Sequence, residues 1–234
     1  MIHILNATGG SEQVNEIKYE GQPREKDKKE MQKDTPLVTV DWIDLIPAPP
    51  ENTSDSTKLD LQELERVTRN LSKEDFDLVM TVDKEPSDLF MPYLKRNSLT
   101  YPKELIDLVL DNAYPIWLKL KYHYRRARPF QIAPHLGFTI SVIQTSTHQT
   151  PAYPSGHQAE GSVITEVLSS IYPEHKTKFY EIGAMVGRGR VLQGVHYQSD
   201  NDAAMIMTRL LWQNVKENLK GTKYEQQWMG HISE

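Results

Sequence analysis

From Pro129 to Ala159 the chain carries no Asp, Glu, Lys or Arg, although these residues make up 25% of the whole. In so charged a chain, a gap of that length has to be packed away from bulk water or line a cleft, and one segment can do both. Its prolines break it too often for a membrane-crossing helix. Nowhere else is there a run of 18 or more apolar residues, and mean hydropathy is -0.58. The sequence therefore predicts a soluble globular protein with no membrane insertion. At 234 residues it has the length of one domain, or at most two.

Charge and cysteine content exclude further classes. The 27 basic residues face 32 acidic ones, a net charge of -5, so no nucleic-acid-binding surface is expected. Cysteine is absent, so the chain has no disulfide, no Cys-based metal site and no thiol nucleophile. The start, Met1 to Asn6, lacks a basic n-region and a long apolar stretch. As written it predicts a cytoplasmic protein, or a periplasmic or secreted one if a signal was removed.

The pattern along the chain is helical. Residues 1–35 are polar and charge-mixed with no sustained apolar period, and read as a flexible or extended N-terminal arm. Residues 36–234 read as a single all-α domain, a helical bundle. Leu59, Leu61, Leu64, Val67 and Leu71 fit one helical face, and Ser72 with Asp75 resembles a capping pair. A long helix is expected from Pro102 to Ala127, kinked or interrupted at Pro115. Three more span Gly156 to Tyr172, Pro173 to about Val195, and Ser199 to Leu219. The one strand candidate is Phe138 to Ile143.

Three segments carry candidate chemistry: Lys121 to Pro129, Tyr153 to His157, and Gly187 to Asp200. Singly, each has a plain explanation. Cations at a helix C-terminus favour the helix dipole, Pro-Ser-Gly is an ordinary helix start, and His with Asp four residues on is commonly a surface pair. Together they supply three cations for phosphate oxygens, Lys121, Arg128 and Arg190. Ser155 and Gly156 stand at a helix start, where free backbone N–H groups bind anions. Asp200 shares a helical face with His196 and is placed to hold its ring.

In order, Lys121-x6-Arg128-Pro129, Pro154-Ser155-Gly156-His157 and Arg190-x5-His196-x3-Asp200 resemble the three-part signature of the phosphatidic acid phosphatase type 2 superfamily, which includes the vanadium haloperoxidases. Tyr153 to His157, Gly194 to Asp200, and Ile46 to Pro50 look most like the soluble bacterial class A non-specific acid phosphatases. Gly189 stands where the family commonly has Ser. The resemblance implies an all-α phosphatase that hydrolyses phosphate monoesters through a phosphohistidine intermediate, without a metal or other cofactor. It implies His196 as nucleophile, Asp200 as its holder and His157 as general acid. Lys121, Arg128, Ser155, Gly156 and Arg190 are then the phosphate-binding residues. The expected partner is a small phosphomonoester, and the family makes a homo-oligomer an open expectation. Two alternatives are a vanadate-dependent haloperoxidase, with vanadate in the same cradle, and a non-catalytic phosphate-binding protein. His123, His135 and His148 carry no metal-ligand spacing. Tyr153 reads equally as pocket wall or packing, and Trp42, Trp117, Trp212 and Trp228 read as packing.

Overall fold

The computed structural model describes residues 10–229. The readings of Met1–Asn6 and of the Trp228 side chain fall outside that description. Eleven α-helices occur among the described residues: α1 (Ser11–Asn15), α2 (Glu25–Met31), α3 (Asp55–Thr68), α4 (Lys73–Lys84), α5 (Met91–Arg96), α6 (Lys103–Tyr124), α7 (Pro129–Ile132), α8 (Gly156–Ile171), α9 (Lys176–Leu192), α10 (Gln198–Asn218) and α11 (Glu225–Met229). They include no strand, only an isolated antiparallel bridge between Lys18 and Arg126. The protein is all-α, as the periodicity predicts. None of the described helices is long and apolar enough to cross a membrane.

Local chemistry sets the helix starts. Ser54 Oγ accepts from Thr57 N at 3.2 Å ahead of α3. Ser72 Oγ accepts from Asp75 N at 3.0 Å while Asp75 returns a bond to Ser72 N at 3.2 Å, the reciprocal pair foreseen for α4. Two helical expectations need correcting. Leu59 is 66% exposed, so the buried face of α3 is Leu61, Leu64 and Val67. Pro115 does not interrupt α6, which continues through it with the proline buried, so tertiary packing outweighs the one missing backbone donor.

α8 forms the centre, packed on α6, α9 and α10. The α8–α9 approach is close because Gly161 faces Val186 and Gly183 faces Thr165; a Cβ on either glycine would collide with its neighbour. The main core joins Leu105, Ile106 and Val109 of α6 to Val163, Val167 and Leu168 of α8 and to Ala204, Met207 and Leu211 of α10. Each such side chain contributes roughly 1.5–3 kcal/mol by leaving water. A second cluster of Leu61, Leu64, Val79, Ile132, Ala152, Val191 and Tyr197 seats the charge-free segment against α3, α4 and α9.

That segment is not a strand at residues 138–143. Its backbone donors go to α3 and to the end of α9: Thr139 N to Glu65 Oε1 (2.9 Å), Ser141 N to Thr68 Oγ1 (3.2 Å) and Ile143 N to Gln193 O (3.1 Å). Scattered partners satisfy the backbone without a neighbouring strand. The N-terminal region also differs from a free arm over its described residues. It carries α1 and α2, buries Val14, and is tied down at Tyr19, whose N donates to Arg125 O at 2.8 Å and whose O accepts from Arg125 Nη2 at 2.7 Å. Its helices are too short to print an apolar period, and isolated apolar contacts by Val14, Ile17 and Met31 anchor it together with these hydrogen bonds.

Gly194 joins α9 to the site with φ +81°, and a Cβ there would collide with the Ser141 carbonyl. Gly194→Ala is expected to destabilise the fold by about 2–3 kcal/mol, through positive φ and lost close approach together. Urea unfolding of the two proteins measures it, and equal midpoints would refute the account.

Candidate active site

The three segments converge on one cleft of about 290 Å³ whose walls include Lys121, Arg128, Gly156, His157 and His196. The last turn of α6 supplies Lys121, the connection to α7 supplies Arg128, the first turn of α8 supplies Gly156 and His157, and the loop before α10 supplies His196. The charge-free segment contributes Ser146, Thr147 and Thr150 to the same walls, so it is both packed and cleft-lining. A wider surface groove between Glu166 and Lys216 contains none of these groups.

His196 is the best-defined member. Its Nδ1 lies 2.9 Å from Asp200 Oδ2 and its Nε2 lies 2.9 Å from Arg128 Nη1. A guanidinium has only donors, so Nε2 must accept, and the proton of the neutral ring sits on Nδ1 facing Asp200. Asp200 is fully buried; Oδ2 also accepts from Tyr197 N at 3.0 Å, and Oδ1 accepts from Arg126 Nη1 at 2.6 Å. The carboxylate thus helps start α10 as well as orient the ring.

The cations are fixed by carbonyls and one acid. Arg128 Nε donates to Thr150 O at 2.9 Å and Nη1 to Val195 O at 2.8 Å. Lys121 Nζ donates to Pro151 O at 2.8 Å. Arg190 Nη1 donates to Asp83 Oδ1 at 2.7 Å and Nη2 to Thr147 Oγ1 at 3.0 Å. Arg190 stands behind the cleft wall and reaches it through Thr147. Ser155 likewise does not line the cleft: its Oγ accepts from Gln158 N and its N donates to Asp200 O at 3.1 Å. The helix start still leaves the Gly156 and His157 amides without intrahelical acceptors.

Burial and mutual repulsion shift these groups together. Burial, then the Arg190 charge, takes Arg128 down to about 9, still a cation at neutral pH. Burial and the Arg128 and Arg190 charges hold Lys121 well below an ordinary ammonium. Burial, Arg128 and Lys121 keep His196 neutral far below the usual imidazole range. Burial and Arg190 lower His157 to about 3. Asp83 is lowered too, but for the opposite reason: hydrogen bonds from Thr147, Arg190 and Thr145 favour its charged form, outweigh burial and hold it at about 2. The cleft is a buried concentration of positive charge.

Asp83 and Arg126 were not among the sequence candidates. Arg126 lies inside the first segment, but nothing in its spacing marks it; it contacts Asp200, Ser199 Oγ (2.9 Å) and the Tyr197 ring (3.9 Å to the centroid). Asp83 lies on α4, outside every segment, and only the fold brings it to Arg190. Tyr153 is packing rather than pocket wall: it is buried and its hydroxyl donates to Pro47 O at 2.6 Å. Trp117, by contrast, lines the cleft as well as packing in the core. His123 packs edge-on against Trp42 and Tyr124, outside the cleft. A Cβ on Gly189 would meet Val82 on α4 at 2.9 Å, so this position faces a helix contact, away from the cradle. Among the described residues no group of three or more His, Cys, Asp or Glu could hold a metal ion.

Comparison with known proteins gives the family. A family model described as the PAP2 superfamily matches residues 108–217. The non-specific acid phosphatase of Providencia stuartii is 31% identical over 181 residues, covering 72% of this chain and 71% of that protein. The non-specific acid phosphatase of Salmonella typhimurium is 33% identical over 99 residues, 42% of this chain and 39% of that one. The chain belongs to the PAP2 superfamily, with acid phosphatases among its relatives. Two solved structures share its fold. A bacterial vanadium-dependent iodoperoxidase has a TM-score of 0.59 at 16% identity, covering 78% of this chain and 55% of its own. A transmembrane PAP2-type phosphatidylglycerolphosphate phosphatase from Bacillus subtilis has a TM-score of 0.51 at 20% identity, covering 74% and 90%.

Arg126→Ala would leave the Asp200 carboxylate buried with its strongest partner gone. A loss of about 3–5 kcal/mol in unfolding free energy is expected, and a loss below 1 kcal/mol in urea titration would show that Arg126 is dispensable to the site.

Proposed function

We propose that the protein is a phosphatase that hydrolyses phosphate monoesters, acid-phosphatase-like, through a phosphohistidine on His196. The observation that carries this is the His196 ring: Asp200 holds Nδ1–H, and the Nε2 lone pair faces the cationic cleft beside Arg128. Phosphate oxygens entering the cleft compete for Arg128 Nη1 and release that lone pair. Nε2 then attacks phosphorus in line with the ester oxygen; the N–P bond forms as the P–O bond breaks. Asp200 stabilises the positive charge that develops on the ring. His157 gives its proton to the departing alkoxide. Water then attacks the phosphohistidine, His157 takes its proton, and inorganic phosphate leaves. Lys121, Arg128 and Arg190, with the Gly156 and His157 amides, neutralise the equatorial oxygens. Three cations and two amides supply that charge without calling on a divalent ion, which supports a metal-independent reaction.

His157 can serve as an acid only if it is protonated with substrate bound. Burial and Arg190 hold it near 3. A bound dianion offsets the local positive charge and raises it, so binding takes up protons and affinity falls as pH rises. Sulfate is a dianion across pH 4 to 8. Calorimetry of sulfate binding in buffers of different ionisation enthalpy is expected to report net proton uptake, and net release would contradict the charge assignment.

Hydrolysis of p-nitrophenyl phosphate from pH 4 to 8 tests the activity. His196→Ala is expected to abolish turnover and the acid-labile phosphoenzyme seen on quenching, and Arg128→Ala to slow turnover by about 10²–10³-fold. The parent rate is expected to persist in a chelator. A parent that releases no phosphate from any monoester, or a fully active His196→Ala, would end this reading.

A further inference from the structure

The N-terminal segment contributes Arg24 and Lys26 to the mouth of the catalytic cleft. We propose that these two residues form a second anion subsite, which selects phosphomonoesters whose alcohol carries another anionic group. The inference rests on the phosphomonoesterase reading of the inner cradle. The two charge centres differ in depth: Lys121, Arg128 and His196 are buried, Arg24 is half-buried and Lys26 is exposed. The reacting phosphoryl group is already met by the inner cations, so the outer pair is left for a different group of the substrate.

Several features make the mouth a built site. Arg24 is held in place by the buried Asp27, with Nε at 2.7 Å from Oδ2 and Nη2 at 3.0 Å from Oδ1, an arrangement that leaves Nη1 for a ligand. Asp27 is itself tied to α6 through the Tyr122 hydroxyl. Lys26 has no ion-pair partner among the described residues, so its ammonium is unspent. The Trp117 indole of the same cleft is 3% exposed and its buried Nε1–H has no acceptor among the described residues. A buried donor without a partner is costly unless a ligand fills it. Tyr114 meets Trp117 edge-on at 5.1 Å and extends the aromatic wall, which suits a flat ring between the two anions. Glu160 is the acidic residue of the wall, and burial together with Glu85 raises its carboxyl to about 7, which mutes its repulsion of an anion below neutrality.

A matched pair of substrates reads the subsite: adenosine 5′-monophosphate and adenosine 3′,5′-bisphosphate, same alcohol with and without the second anion. The parent is expected to favour the bisphosphate in kcat/KM, through KM, and to lose that preference with added salt. Lys26→Ala is expected to lower the bisphosphate-to-monophosphate ratio about fivefold, and Lys26→Glu about tenfold or more, with Lys26→Arg restoring it. Lys26 is exposed, so these variants should fold as the parent does. An unchanged ratio, or equal losses on both substrates, would overturn the subsite. If the parent hydrolyses neither these nucleotides nor p-nitrophenyl phosphate or any other monoester, the phosphatase reading has failed; if it hydrolyses other monoesters but neither nucleotide, that reading stands. The subsite is then judged from calorimetric affinities of the same pair for the parent and Lys26→Ala: a ratio that moves with Lys26 upholds it, and a ratio that does not removes it.

Discussion

A carboxylate buried as completely as that of Asp200 survives only if all its lone pairs are engaged, and the partners it recruits organise most of the site. His196 Nδ1, Tyr197 N and Arg126 Nη1 all donate to it. Through Arg126 the network runs on to Ser199 Oγ, and from Ser199 to Asp60 Oδ2 on α3. Through His196 it runs inward to Arg128. One acid therefore couples the start of α10, the end of the first motif and the face of α3. The ring that faces the cleft has its tautomer set by bonds that also hold the fold together.

The opposite constraint governs the cations. Lys121, Arg128 and Arg190 are buried together with Asp83 as the direct carboxylate partner of Arg190 and Asp200 at one remove. Arg128 and Arg190 lower the proton affinity of Lys121, and Arg190 lowers that of Arg128. The folded protein carries repulsion that a dianion relieves, so ligand binding and stability are linked in sign. His157 and His196 are held neutral below their unfolded value of about 6.5. Their contribution to stability is present above that value and is lost as pH falls below it, since the unfolded chain then binds protons that the folded one refuses. A bound dianion opposes this loss at the acid end.

Much of this was legible in the sequence because the groups that touch phosphate must sit at fixed offsets on helix ends. The i, i+4 step from His196 to Asp200 and the Pro-Ser-Gly start of α8 are local geometry. What was hidden is the layer behind them. Asp83 meets Arg190 across 107 positions of chain, and no local pattern encodes such a pairing. Arg126 lies beside two other arginines, and only the turn at Arg125, with φ 52°, aims it at Asp200 while Arg125 goes to the N-terminal segment. Leu59 and the 138–143 stretch misled for the same reason in reverse: their local patterns were apolar, but the fold met them with solvent and with acceptors on α3 and at the end of α9, the Glu65 and Thr68 side chains and the Gln193 carbonyl.

The N-terminal segment is where local reading and tertiary structure diverge most. Its charge-mixed composition shows no apolar period, because its core contacts are isolated ones, Val14, Ile17 and Met31, and much of its attachment is polar. The Lys18–Arg126 bridge and the Tyr19–Arg125 pair fasten it to the very residues that follow α6. Arg126 in turn holds Asp200, so the strap and the carboxylate share an anchor. A displacement of the segment would move Arg24 and Lys26 at the mouth and disturb residues 125–126 beneath it. The entrance to the cleft and the orientation of His196 are thus joined through two consecutive arginines. A composition typical of a solvated tail becomes, by that attachment, part of the wall the substrate meets first.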